Sequence, residues 1–150
     1  MIIKQEQILI ENRWSELRIM NHELRANTKI RSFTDLIAWK EAHKLVIMIY
    51  KVTKNFPKEE VFGLTNQIRR ASVSITSNLA EGFSRNTYKD KTQFYAIALG
   101  SLTELQNQLL IARDVRYIDN RTFQEMASQT IIVSKLCNGL LKSNRTKHGS

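Results

Sequence analysis

The sequence predicts an all-α protein: an antiparallel, up-down-up-down four-helix bundle with an extra N-terminal helix. Three observations predict it. Apolar residues recur at alternating spacings of three and four in four separate stretches, the pattern of a helix face turned to a core. These stretches run about 20 residues each and are joined by short connections, which is the plan of a bundle. One proline and five glycines in 150 residues are few for a turn-rich β fold. No strand-type alternation of useful length competes.

Residues 1–31 form an N-terminal extension. Ile8, Leu9, Trp14, Leu17, Met20 and Leu24 are interleaved with charges, which predicts a helix around Gln5–Arg25. The bundle follows over residues 32–142. Its first helix opens at Ser32-Phe33-Thr34-Asp35, where Ser32 or Thr34 can cap and Asp35 suits the positive end of the dipole. Leu36, Trp39, His43, Val46, Tyr50 and Thr53 repeat at core spacing, with Leu45, Ile49 and Val52 beside them. The helix must stop before Pro57, because a residue preceding proline is pushed out of the α region.

Pro57-Lys58-Glu59-Glu60 reads as the next helix start, with carboxylates near the amino end. This helix carries the centre of the sequence, Gln67–Gly82. Leu64, Ile68, Ile75 and Leu79 share one apolar face at about 100° per residue. Beside it runs a second stripe of Gln67, Ala71, Ser74, Asn78 and Glu81, small or polar where a surface helix would place long charges. Thr87 and Asp90 open the third bundle helix as a capping pair. Tyr95, Ala98, Leu102, Leu105, Leu109 and Ala112 form its core stripe, again accompanied by a second one: Ile97, Ser101, Glu104, Gln108 and Ile111. Thr122 and Glu125 have the spacing of a capping box for the last helix, whose apolar face is Phe123, Met126, Thr130, Val133, Cys137 and Leu140. The pattern fades by Lys142, and 143–150 read as a polar, frayed tail. The doubled stripes exceed what a monomeric bundle needs. A wide core face with satisfied polar groups accounts for them, as does self-association, and self-association is the favoured reading.

The composition narrows the function. Net charge is +9 and the pI is near 9.9. Residues 1–31 carry +2 and residues 139–150 carry +3, leaving +4 on the body. The excess is therefore not one basic tail, and a polyanion such as RNA or DNA becomes a candidate partner. The longest apolar run, Leu45–Tyr50, falls far short of the roughly 20 residues of a membrane span. The first residues, MIIKQEQILIE, lack a signal-peptide pattern, and the single Cys137 fits a reducing compartment. A cytoplasmic location is the expectation.

Catalytic and metal chemistry find little support. A di-iron bundle needs Glu-x-x-His pairs, and the residues three before His22, His43 and His148 are Ile19, Lys40 and Arg145. His22-Glu23 begins like a zinc motif, but Ala26 stands where the second histidine belongs. Cys137 lies among Leu136 and Leu140, the setting of an inert thiol. Ser74 and Ser101 have no His–Asp pair to activate them, and no phosphate-cradling glycine loop is present. Glu81 and Glu104 lie on the two polar seams and could share one cleft as an acid–base pair. Structural hydrogen bonding is the favoured role for both. No catalytic residue, cofactor or metal is expected.

The cations offer more. Arg69 and Arg70 point away from the apolar face of their helix. Arg85, Lys89 and Lys91 cluster at the turn that follows. These five are the candidate phosphate contacts, since a polyanion needs several positioned charges. Lys51, Lys54 and Lys58 lie at the preceding turn, and Arg113, Arg116 and Arg121 flank the later one. Gln67, Ser74, Asn78, Glu81, Ser101 and Glu104 are the candidate assembly seam.

Several blocks are more specific than any periodicity: Phe56-Pro57 with Glu60 and Phe62-Gly63-Leu64; Gln67-Ile68-Arg69-Arg70-Ala71; Ser77-Asn78-Leu79-Ala80-Glu81-Gly82; and Gly100-Ser101 with Glu104-Leu105. In this order they closely resemble the four-helix-bundle family of ribosomal RNA intervening-sequence proteins, over residues 32–141. Residues 1–31 lie outside the resemblance. The resemblance implies a homopentameric barrel of bundles. It also implies kinship with the accessory variability determinant of diversity-generating retroelements, a basic pentamer that binds nucleic acid and associates with a reverse transcriptase. It carries over no catalytic residue. The expected function is a non-enzymatic, oligomeric, nucleic-acid-binding bundle, accessory to a nucleic-acid-processing enzyme. The alternative is a structural protein–protein adaptor.

Overall fold

The computed structural model describes the backbone of residues 4–27 and 29–148, and the side chains of 7–20 and 29–147. The expected apolar contribution of Leu24, and the side chains of His22 and His148, lie outside them. Among the described residues the fold has five α-helices: α1 (Lys4–Asn27), α2 (Ile37–Thr53), α3 (Leu64–Ser84), α4 (Tyr88–Asp114) and α5 (Asn120–His148). No strand occurs among the described residues. Helices α2 to α5 form a closed ring of neighbours, α2 on α3, α3 on α4, α4 on α5 and α5 on α2, while α1 lies against α5. This is the four-helix bundle with an additional N-terminal helix.

The start of α2 differs from the sequence expectation. Ser32 does cap: its Oγ accepts the Thr34 N–H at 3.3 Å, and Asp35 Oδ2 accepts the N–H groups of Arg31 and Ser32 at 2.9 and 3.0 Å. This closes only a 3-10 turn, Phe33–Asp35. Leu36 is then extended and buried, and α2 begins at Ile37. The core stripe of α2 is also displaced. Ala38, Ala42, Leu45 and Ile49 are buried, whereas Tyr50 is 42% exposed and His43 is exposed. Apolar side chains occupy more than half the circumference of α2, so periodicity alone does not choose the inward face. His43 stacks on Trp39 at 4.7 Å, and Trp39 meets Phe33 edge-on at 5.3 Å.

Pro57 starts a separate 3-10 turn, Lys58–Glu60, and Gly63 is the N-cap of α3 rather than a residue within it. Glu60 holds this junction. Its Oε2 accepts the Leu64 N–H at 2.7 Å, and its Oε1 accepts the Tyr117 hydroxyl at 3.1 Å. Helix α4 opens as expected, with the Thr87 Oγ1 accepting the Asp90 N–H at 3.1 Å. It closes with Arg116 at φ 65° and a Tyr117 N–H to Ala112 C=O bond of 2.8 Å, a left-handed cap of the Schellman type. Helix α5 is capped by Asp119, whose Oδ1 accepts the Thr122 N–H at 2.7 Å. The Thr122–Glu125 box does not form, and Glu125 instead lies 3.5 Å from Arg121. The helix continues to His148, six residues past the point where its apolar pattern fades. Asn144 is buried there.

The core is Leu45, Ile49, Ile68, Ile75, Leu79, Leu102, Leu105, Leu109, Met126 and Val133, with Cys137 and Thr130 beside them, all under 2% exposed or at that limit. Each large apolar side chain contributes roughly 1.5–3 kcal/mol when buried, so this ring drives folding. Gly82 lets α3 and α4 approach closely. A Cβ there would lie 2.7 Å from Tyr95 Cε1 and 3.1 Å from Phe94 Cβ. Gly139, by contrast, has nothing within 4 Å of an added Cβ. Gly82→Ala is therefore expected to lower stability by about 1–3 kcal/mol. Gly139→Ala is expected to raise it by about 0.5–1 kcal/mol through helix propensity. Denaturant midpoints of the two variants check both signs.

Candidate nucleic-acid interface

The seam between α3 and α4 is built from residues of both second stripes. The Oγ atoms of Ser74 and Ser101 share a hydrogen bond of 2.8 Å. Asn78 Nδ2 donates to the Ser74 carbonyl at 2.8 Å and to its Oγ at 3.1 Å. Gln108 Nε2 donates to Glu104 Oε1 at 3.1 Å, while Gln108 Oε1 is buried with no hydrogen-bond partner among the described residues. Gln67, Glu81 and Glu104 lie at the exposed edge.

The Ser74–Ser101 contact also sets the antiparallel register of the pair, and Gly82 against Tyr95 agrees with it. This register puts Glu81 opposite Phe94 and Glu104 opposite Ala71, about 15 Å apart along the helix axes at 1.5 Å per residue. The cleft that the sequence allows for these two carboxylates does not exist. Glu81 instead forms an ion pair with Arg85 at 2.5 Å on its own helix.

The five candidate cations divide into two kinds. Arg69 does not point outward: its Nε donates to Thr53 Oγ1 at 2.9 Å, and its guanidinium lies 4.7 Å from the Tyr50 ring centre. It clamps α3 to α2. Lys91 Nζ donates to the carbonyls of Gly82 and Phe83, at 3.3 and 2.5 Å, and so satisfies the carboxyl end of α3. Burial pushes its ammonium pKa down. Arg70, Arg85 and Lys89 are exposed, and Arg85 also lies 4.7 Å from the Phe94 ring centre. Arg85 and Lys89 share the α3–α4 turn, whereas Arg70 stands apart on the outer face of α3.

Two features escape a reading of the sequence. Lys147, near the end of α5, lies over the Tyr88 ring at 5.8 Å. This brings the carboxyl end of α5 to the α3–α4 turn. The second feature is Glu41, 2% exposed. Its carboxylate accepts from Lys44 at 2.7 Å, Gln129 at 2.7 Å and Arg13 at 3.4 Å, joining α1, α2 and α5. The only sequence signal was its position between Ala38 and Leu45 on what proves to be the core face. At the opposite end, an open cavity of about 520 Å³ is lined by Arg113, Asp114, Arg116, Ile118, Asp119 and Asn120, a set of mixed charge. Cys137 is buried and its thiol is pushed up to about 12, far from a reactive thiolate. Among the described residues, no group of three or more His, Cys, Asp or Glu side chains could hold a metal, and no helix is long and apolar enough to cross a membrane.

The model of the 23S rRNA-intervening sequence protein family matches residues 34–139. The chain belongs to this family. Helix α1 and the last turns of α5 lie outside the matched region. A crystal structure of a protein of unknown function from the S23 ribosomal protein family of Bacteroides thetaiotaomicron has the same fold, with a TM-score of 0.64 and 21% identity over 71% of this chain and 99% of that one. A search of the curated proteins found no match.

The carboxylates of this family member give its stability a pH dependence. Burial pushes the Glu41 carboxyl up, but the hydrogen bonds from Lys44 and Gln129 and the charges of Lys44 and Arg13 outweigh it and hold it below its ordinary 4.5. Backbone N–H groups hold Asp35 and Asp119 below 3.8. A carboxyl with a folded pKa below its unfolded one contributes fully above the unfolded value and loses that contribution as pH falls through the folded one. Stability is therefore expected to fall from about pH 4.5 downward. Glu41→Gln should lower stability at neutral pH and flatten this acid limb, as read by urea unfolding at stepped pH.

Proposed function

We propose that this member of the 23S rRNA-intervening sequence protein family is a non-enzymatic, oligomeric bundle that binds nucleic acid. We read it as an accessory factor to a nucleic-acid-processing enzyme such as a reverse transcriptase. The observation that carries the reading is the charge: +9 in 150 residues, with Arg85 and Lys89 exposed at one turn and Arg70 on the outer face. Phosphate neutralisation by such cations supplies sequence-independent affinity and a steep salt dependence.

The oligomer rests on the seam. Ile97 and Ile111 are 45% and 43% exposed beside it, and the buried Gln108 Oε1 lacks a partner. A second chain on this face would cover both, and the family resemblance favours a ring of five. A heterologous contact closing into a ring is one of the few symmetric outcomes open to such a face. A second reading, a protein–protein adaptor, is favoured by Phe62. This side chain is 93% exposed beside the 52% exposed Val61, on a turn held rigid by Glu60, and exposed aromatics on rigid supports are common interface anchors.

Two measurements decide these readings. Binding to mixed-sequence RNA and to single- and double-stranded DNA should weaken steeply from about 50 to 200 mM salt. Absence of salt-sensitive binding at low ionic strength defeats the nucleic-acid reading and leaves the adaptor. Light scattering should give a mass several times 17.4 kDa. Gly100 has nothing within 4 Å of an added Cβ, so Gly100→Arg leaves the single bundle folded and should reduce that mass. A monomeric parent protein overturns the seam argument.

A further inference from the structure

Residues 81–91 and 142–147 together carry six cations and only two carboxylates. In the sequence these segments are more than 50 residues apart. The fold unites them. Three contacts between α4 and α5 keep one antiparallel register: Gln106 with Thr130, Arg113 over Phe123, and Lys147 over Tyr88. That register sets Arg145 level with Lys91, and Lys147 level with Lys89. Lys142 lies about one turn before Arg145 in α5. Lys142, Arg145 and Lys147 are all exposed.

The two carboxylates at this end offset part of the charge and leave an excess of four cations. Glu81 is paired with Arg85, and Asp90 Oδ2 accepts from the Thr87 hydroxyl at 2.7 Å. Tyr88 lies at this end too, next to Lys89 in the chain. Its side chain is 40% exposed, and Lys147 lies over its ring. An accessible aromatic ring at a cationic end of the bundle is the combination that binds an unpaired strand, with phosphates on the charges and a base stacked on the aromatic face. A duplex keeps its bases inside the stack and makes no use of the ring.

We infer that the last turns of α5 complete a single-stranded nucleic-acid site with the α3–α4 turn, in which Arg85, Lys89, Arg145 and Lys147 contact phosphates and Tyr88 stacks a base. This rests on the nucleic-acid reading above and narrows it to one end of the bundle and one class of strand. The matched family region ends at residue 139, so the contribution of α5 is an addition beyond that region.

The test uses the full chain and fluorescent probes of about 16 nucleotides, one single-stranded RNA, one single-stranded DNA and one duplex. The triple variant Lys142→Gln, Arg145→Gln, Lys147→Gln should lose at least tenfold in affinity for single strands. It should also make the dependence of log K on log salt less steep by about 1.4, since Arg145 and Lys147 are two of the phosphate contacts and each contact on a single strand contributes about 0.7. A charge-matched control, Lys51→Gln, Lys54→Gln, Lys58→Gln, alters exposed cations at the opposite end and should bind far more nearly like the parent. Tyr88→Ala should weaken single-strand binding roughly fivefold or more and leave duplex binding unchanged, while Tyr88→Phe retains the stack. Helical circular dichroism and mass should be the same for all variants. Equal losses in the two triple variants, or no effect of Tyr88→Ala on a parent that does bind, overturn this site and leave the broader reading standing. A parent chain that binds none of the three probes overturns both.

Discussion

The close antiparallel contact of α3 with α4 governs the rest of the structure. Gly82 admits the Tyr95 ring where any Cβ would lie 2.7 Å from it, and Ser74 meets Ser101 hydroxyl to hydroxyl at 2.8 Å. These small residues bring the two backbones together along their length. The magnitudes assign the roles. A hydrogen bond of this kind contributes about 1 kcal/mol net, whereas each fully buried Leu or Ile contributes about twice that. The apolar stripes therefore supply the stability, and the small polar seam selects the register. From that register follow the separation of Glu81 from Glu104, the placing of Arg85 over Phe94, and the use of Lys91 to satisfy the end of α3.

A similar division explains how α1 joins the bundle. Ile10 and Leu17 are each 7% exposed, and Trp14 packs on the core beside them. Arg13 reaches Glu41 at 3.4 Å, but its side chain is 48% exposed, and a solvated ion pair of this kind contributes at most about 1 kcal/mol. Apolar burial holds the helix, and the charges set where along α2 and α5 it lies. The buried carboxylate also makes the junction sensitive to substitution. Removing one partner of a desolvated charge costs more than the pair itself contributes.

Much of the fold is legible in the sequence. The stripe Tyr95, Ala98, Leu102, Leu105, Leu109 and Ala112 is buried throughout, while Ile97, Leu110 and Ile111 beside it stay exposed. In α2 the buried face departs from the periodic stripe at His43 and Tyr50, because apolar residues flank it on both sides and only packing against neighbours selects Ala42, Leu45 and Ile49. Capping signals showed the same limit. Ser32 and Asp35 do bond as their spacing predicts, yet they close a short turn. Local hydrogen bonds set a local turn, while Leu36 is drawn out of the helix and buried.

The candidate interface was legible by residue type and much less by position. Its cations were visible as charge in excess, and Arg85 and Lys89 stand exposed at the expected turn. Arg69 and Lys91 carry equal charge but are engaged by Thr53 and by the carbonyls of Gly82 and Phe83. By itself, the amino-acid sequence determined the helical class, the bundle order, the family and the basic charge. The class, the order and the charge depend on composition and on angles around single helices, and the family on short blocks of specific residues. The tertiary structure alone decided which cations face solvent, which carboxylates are apart, and that the end of α5 lies beside Tyr88. Long side chains and distant segments find their partners on other helices, and those distances exist only once the bundle has closed.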